Sequence, residues 1–173
     1  QYIPNGEVEK PIDGFEIAGV AVKGIIDYYV PSRDNEPVTI IDHKFKKSLV
    51  DYALGEEELE NDEQAVIYSM YAVTQGAQEV KFIHHNVQTE KAIVGLAVGV
   101  KLTREQILQK FGALKETVDR MVSCGNIEKE DDVESVESSC TKYGGCDYRT
   151  HCPVGKGVKV SGYKGESMGL ESF

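Results

Sequence analysis

Two short runs of apolar, β-forming residues lie close together near the start of the chain, and each is followed by an acidic residue. The first is Gly24-Ile25-Ile26-Asp27, and the second is Thr39-Ile40-Ile41-Asp42-His43-Lys44. The segment between them, residues 31–37, consists of turn-forming and strand-breaking residues, with a proline at each end. This pattern predicts a β-hairpin.

The predicted hairpin brings polar groups of two strands together. Because side chains alternate between the faces of a strand, we expect Asp42 and Lys44 on one face and His43 on the other. Asp27 can then lie beside Asp42, next to the carbonyl oxygen of His43. Hard divalent cations prefer such oxygen ligands, and a neighbouring lysine can orient an attacking water or balance charge on a phosphate. We therefore predict a Mg²⁺ or Mn²⁺ site formed by Asp27, Asp42 and the His43 carbonyl.

The remaining hydrophobic pattern predicts an α/β fold with a mixed central sheet flanked by helices. The predicted strands are residues 15–19, 20–30, 38–45, 80–87 and 92–102, after an extended lead-in at residues 1–13. One helix should begin at Asn61 or Asp62, run to Thr74 and stop at Gly76. A second should begin at the capping box that Thr103 opens with Gln106.

Two further patterns have structural interpretations. The second helix carries one apolar stripe that should pack on the sheet, made of Ile107, Phe111, Leu114, Val118 and Met121. His84 and His85 are adjacent on a predicted strand, so they should face opposite sides and cannot serve one site together. We interpret both as ordinary structural histidines, and Glu7 and Glu9 as surface residues.

The net charge of −10 on 173 residues argues at first against a partner as acidic as a nucleic acid. Two runs, residues 56–63 and 128–137, account for −6 and −5 of that charge, so the rest of the chain carries +1. We interpret both runs as solvated segments. No run is long and apolar enough to cross a membrane and no signal peptide opens the chain, so we expect a cytoplasmic protein.

Four cysteines occur in the last 50 residues, at positions 124, 140, 146 and 152. Cys140, Cys146 and Cys152 are set among glycines and a proline, which allow tight folding around one point. Four thiolates suit either a tetrahedral zinc ion or a [4Fe–4S] cluster, and the spacing does not decide between them. The absence of metal stays a third possibility, and His151 is an alternative ligand.

The motifs together resemble those of the PD-(D/E)XK nuclease superfamily, over roughly residues 9–152. Gly24–Asp27 matches its Gly-x-x-Asp strand, and Asp42-His43-Lys44 matches its D/E-x-K strand. The RecB-like branch adds a helical Gln-x-x-x-Tyr, matched by Gln64 and Tyr68, and its iron–sulfur members add a C-terminal cysteine cluster. The resemblance implies a nuclease core at residues 1–123 and a cysteine-cluster segment at 124–154. Residues 155–173 are rich in glycine with few core-forming residues, so we expect a flexible tail there. The family's first active-site helix lies upstream of its first strand, and the chain is expected to lack it.

The resemblance also implies a function and its residues. The chain would be a metal-dependent DNA exonuclease or single-strand nuclease of recombination, replication, phage or CRISPR processes, with Asp27, Asp42 and Lys44 catalytic. Gln64 and Tyr68 would contact DNA, and a helicase or a recombination or adaptation protein would be a partner. If a phage encodes the chain, its compartment is the host cytoplasm. In the similar iron–sulfur nucleases the fourth cluster ligand is N-terminal, so here it is either Cys124 or a residue missing upstream.

Two rival interpretations stay open. The first is a catalytically inactive nucleic-acid-binding or assembly module that keeps the fold and a structural Fe–S or zinc site. The second is a redox or zinc protein in which the acids are incidental.

Overall fold

A computed structural model describes residues 5–33, 36–90 and 92–125. The described residues up to Ser123 belong to one compact unit. The described strands are β1 (Glu7–Pro11), β2 (Glu16–Ile17), β3 (Val20–Ala21), β4 (Ile25–Val30), β5 (Val38–Lys46), β6 (Glu79–Gln88) and β7 (Gly95–Thr103). The described helices are α1 (Leu49–Tyr52), α2 (Glu56–Leu59), α3 (Glu63–Thr74) and α4 (Arg104–Cys124).

Five of the strands form one mixed sheet in the order β1-β4-β5-β6-β7. Neighbouring strands are antiparallel except for β5 and β6, which are parallel. Parallel neighbours need a crossover connection, and here the connection from β5 to β6 contains α1, α2 and α3. The predicted α/β class, with a mixed sheet and flanking helices, is confirmed.

The predicted hairpin is formed by β4 and β5, with Tyr28 opposite Ile41 and Val30 opposite Thr39. Both strands run past their acidic residues, because β4 continues to Val30 and β5 to Lys46. Asp27 and Asp42 therefore lie within their strands and not at the ends, so backbone pairing limits the movement of both residues.

The first thirty residues differ most from the predicted strands. The lead-in contains β1, which pairs with β4 and forms an edge of the sheet. The strand predicted at residues 15–19 is shortened to β2, because Ala18 and Gly19 adopt positive φ angles of 53° and 76° and make a two-residue turn between β2 and β3. Such φ angles at both central positions are typical of the turns that best join antiparallel strands. The strand predicted at residues 20–30 is divided into β3 and β4.

Helix α3 follows the predicted signals. The Asp62 side chain accepts a hydrogen bond from the Ala65 N–H at 3.0 Å, which caps the helix, and Gly76 follows its end at φ 99°. The predicted capping box before α4 is also present, since Thr103 and Gln106 bond reciprocally at 2.9 and 3.3 Å.

The apolar stripe of α4 packs on the core over only part of its length. Ile107 is fully buried, and Phe111, Leu114 and Val118 contact the core partially. Met121 is 67% exposed, so its predicted packing on the sheet is wrong. The helix extends for 21 residues, or about 31 Å, and its last turns have no described core surface to cover.

One face of β5 and β6 forms the centre of the hydrophobic core. The paired residues Val38 and Val80, and then Ile40 and Phe82, are buried there with Leu59. None of the helices among the described residues is both long and apolar enough to span a membrane.

Candidate active site

The core face of β5 and β6 changes from apolar to polar within one step along the strands. After the Ile40 and Phe82 pair, the next two pairs on this face are Asp42 with His84 and Lys44 with Asn86. Asp42, His84 and Asn86 are at most 3% exposed. Buried polar groups are costly unless they are partnered, so this cluster is the strongest candidate for a functional site in the described part of the chain.

Asp27 reaches the cluster from β4. The last paired residues of the hairpin are Tyr28 and Ile41, so Asp27 and Asp42 come next on their strands. Beyond that pair, the backbone N–H of His43 donates to Asp27 Oδ2 at 2.7 Å. This N–H belongs to the peptide that joins Asp42 to His43, which fixes the Asp27 carboxylate against the β5 backbone at the D-x-K residues.

Asp42 and Lys44 are in contact on the same face, as predicted. Lys44 Nζ lies 2.7 Å from Asp42 Oδ2, and the two side chains are 30% and 5% exposed. The Asp42 carboxylate is thus buried in an ion pair with the Lys44 ammonium group.

A chain of hydrogen bonds connects Lys44 to helix α3 and back to β4. Lys44 Nζ donates to Gln64 Oε1 at 2.6 Å, and Gln64 Nε2 donates to Tyr68 Oη at 3.3 Å. Tyr68 Oη in turn donates to the carbonyl oxygen of Ile25 at 2.9 Å. The Gln-x-x-x-Tyr residues therefore hold Lys44 and the start of β4 in place.

Gly24 explains how Tyr68 comes so close to β4. A Cβ atom at position 24 would lie 3.2 Å from Tyr68 Cε1 and 3.0 Å from Ile12 Cδ1. Both distances are shorter than ordinary van der Waals contact, so any larger residue would displace the tyrosine ring. Gly24 thus leaves space for the ring of Tyr68, whose hydroxyl group donates to the carbonyl oxygen of Ile25.

His84 is the site residue that sequence reasoning missed. Its Nε2 lies 3.6 Å from Asp42 Oδ2, and neither of its ring nitrogens has a hydrogen-bond partner among the described residues. Burial lowers the pKa of His84, although the nearby Asp42 carboxylate opposes that shift. The imidazole is therefore neutral at neutral pH. His85 lies on the opposite face, as predicted, so the two histidines have different surroundings.

A signal for His84 was present in the sequence. A strand, a crossover helix and a second strand predict parallel neighbours, and parallel pairing in register places a residue of the second strand beside Asp42. The register itself, with Asp42 opposite His84, required the structure. Asn86, opposite Lys44, was missed for the same reason.

The Tyr68 hydroxyl has a measurable structural role. We expect Tyr68→Phe to lower the free energy of unfolding by about 1 kcal/mol, because the ring stays packed but the Ile25 carbonyl loses its donor. Urea denaturation followed by circular dichroism measures this difference. Tyr52→Phe is the matched control, since Tyr52 is 59% exposed and should tolerate loss of its hydroxyl. Equal effects of the two substitutions would contradict the assigned role.

Only one residue of the predicted cysteine cluster is described. Cys124 is an exposed free thiol at the end of α4. Cys140, Cys146, Cys152 and His151 lie outside the described residues. Among residues 5–125 that the structure describes, no group of three or more His, Cys, Asp or Glu side chains is arranged around a common point.

Comparisons with known proteins give little further information. No protein-family model and no curated protein sequence matches the chain. The crystal structure of SSO0001 is similar at a TM-score of 0.37 and 16% sequence identity. The match covers 86% of this chain and 60% of that one, so the chain spans about 60% of the length of that protein.

Proposed function

We propose that the protein is a metal-dependent nuclease that hydrolyses phosphodiester bonds in DNA. The observation that carries this proposal is the contact between Asp42 and Lys44 on a polar face, with the Asp27 carboxylate bonded to the peptide that follows Asp42. Two carboxylates can hold a catalytic divalent cation, and a nearby ammonium group can stabilise negative charge that develops on a phosphate. We also propose that the α/β domain is a PD-(D/E)XK nuclease core.

The donor set suits a hard divalent cation. Asp27, Asp42 and the carbonyl oxygen of His43 would hold Mg²⁺ or Mn²⁺, and the buried Asp42 Oδ2 already lies 2.7 Å from one cationic group, the Lys44 ammonium. When bound, such an ion polarises the phosphate and lowers the pKa of a water molecule. The carboxylates bind the cation only when deprotonated, so binding should weaken in acid.

Lys44 is placed to stabilise negative charge on a bound phosphate and to orient the attacking water molecule. Its ammonium group is held between Asp42 Oδ2 and Gln64 Oε1, at 2.7 and 2.6 Å, yet its side chain stays 30% exposed. It can therefore meet a phosphate from solvent, orient the attacking water and offset negative charge that develops during hydrolysis.

The family resemblance assigns Gln64 and Tyr68 to DNA contact. In the described structure both side chains already bond to protein groups, through Lys44 and the Ile25 carbonyl. Their role in the proposal is first to position Lys44 and β4. Gln64 is close enough to Lys44 for a bound DNA strand to meet both.

The direction of cleavage, the partner proteins and the cysteine site are proposed from the family resemblance. We propose an exonuclease or single-strand nuclease with a helicase or a recombination or adaptation protein as partner. Cys140, Cys146 and Cys152 would hold a [4Fe–4S] cluster together with Cys124 or a further residue, and zinc is the alternative. Anaerobically purified protein should then absorb near about 400 nm, whereas a colourless preparation that contains zinc would contradict the cluster.

Removal of metal tests the function directly. Protein purified anaerobically should degrade single-stranded DNA in Mn²⁺, and EDTA should abolish the reaction because the carboxylates alone cannot activate water. Strands labelled at the 5′ or the 3′ end reveal the direction of cleavage, and restored Mn²⁺ provides the control. The rival assignment, an inactive nucleic-acid-binding module, predicts binding that survives EDTA and no cleavage under either condition.

A further inference from the structure

Two histidine side chains lie together on the face of the sheet opposite the side chains of the proposed nuclease site. His43 and His85 are direct partners in the parallel pairing of β5 and β6. Their ring centroids are 5.4 Å apart and their planes are inclined by 55°. The two imidazoles are therefore side by side on one face, while Asp42 and His84 occupy the other.

The separation of these rings is close to that of two imidazoles on one metal ion. With metal–nitrogen bonds of about 2.0–2.1 Å and a tetrahedral angle, the centroids of two ligating rings lie about 5.2 Å apart. The observed 5.4 Å matches the separation that one shared ion requires. Rings stacked directly on each other would be closer to parallel than 55°.

The surroundings leave space for an ion and its other ligands. The two histidines line an open groove of about 450 Å³, next to Gly95 and Ala97 of β7. Ala97 pairs with His85, so its small side chain leaves the imidazole uncovered on that side. A Cβ atom added at Gly95 would meet nothing closer than the Asn86 carbonyl at 4.0 Å.

The donor atoms select the class of ion. A neutral imidazole offers a nitrogen lone pair to a metal ion. No third His, Cys, Asp or Glu joins the pair among the residues that the structure describes. Two neutral nitrogens suit Zn²⁺, Ni²⁺ or Cu²⁺ and are poor ligands for Mg²⁺ or Ca²⁺.

We propose that His43 and His85 bind one borderline divalent transition-metal ion on the face of the sheet opposite Asp42 and Lys44, with open coordination positions for water or an external ligand. This site does not depend on the nuclease function. It shares strand β5 with the proposed nuclease site, but its ligands point to the other side.

Nickel binding to the full chain tests the site. Isothermal titration with Ni²⁺ should resolve a binding event in the wild type that His43→Asn and His85→Asn each remove or weaken by about tenfold or more, because one ion needs both nitrogens. Sites on cysteines stay in every variant, so the difference from wild type isolates the pair. Asp119→Asn is the matched control, since it removes a half-exposed carboxylate on α4, outside both proposed metal sites, and should leave this event unchanged.

Two results would overturn the assignment. The first is equal nickel affinity and stoichiometry in the wild type and both histidine variants, and the second is a loss in only one of them. His43 is exposed, so His43→Asn should keep the fold, which circular dichroism verifies. Zinc should raise the melting temperature of the wild type more than that of the His43→Asn/His85→Asn double variant, because an ion that binds only the folded state stabilises it.

Discussion

Asp42→Asn should lower the rate of DNA hydrolysis by at least about 100-fold, the scale expected when electrostatic stabilisation at a reacting centre is lost. The substitution keeps the shape of the side chain but removes the charge that would attract the cation. The substitution also removes the charge that pairs with Lys44, so circular dichroism must show that the variant is folded. Initial rates on labelled single strands in saturating Mn²⁺ measure the effect.

The control must distinguish the loss of a metal ligand from the loss of an ion pair. Asp119→Asn removes a carboxylate that lies 2.8 Å from Lys115, but this pair is about half-exposed on α4. Exposed pairs contribute little, so this variant should keep full activity and change stability by less than about 1 kcal/mol. If Asp42→Asn is folded and retains activity close to that of Asp119→Asn, Asp42 is not a ligand of the catalytic ion.

Phe82→Ala should destabilise the protein by about 3–5 kcal/mol, the largest effect on folding that we expect from a single side chain. Phe82 is fully buried on β6 beside Ile40, at the centre of the core that supports the site. Truncation loses the transfer free energy of the ring and leaves a cavity in the middle of the sheet. Its loss also removes the edge contact with the His84 ring, whose centroid is 5.5 Å away.

Phe45→Ala is the matched control for that experiment. It removes the same ring from the neighbouring strand β5, where Phe45 is 73% exposed. Because little surface is removed from water there, we expect a change below about 1 kcal/mol. Guanidinium titrations of both variants measure the difference, and equal destabilisation would contradict the assignment of the core to the Phe82 face.

Local signals in the sequence were sufficient for the elements that depend on local chemistry. Asp62 as a cap, Gly76 as a stop and the Thr103 capping box act within a few residues, and each appears in the structure as predicted. The alternation of Asp42, His43 and Lys44 follows from strand geometry alone. Less regular local features, such as the turn at Ala18 and Gly19, were not predicted, because alanine is unusual at a positive φ angle.

The sequence by itself determined that Asp42 and Lys44 share a face, that His84 and His85 do not, and that a mixed α/β sheet results. Only the tertiary structure decided which residues of distant strands become neighbours, because the register of β5 against β6 depends on packing around Ile40 and Phe82. That register places His84 beside Asp42 on one face and joins His43 to His85 on the other. Residues about 40 positions apart meet through the burial of side chains between them, and no short-range pattern specifies that pairing.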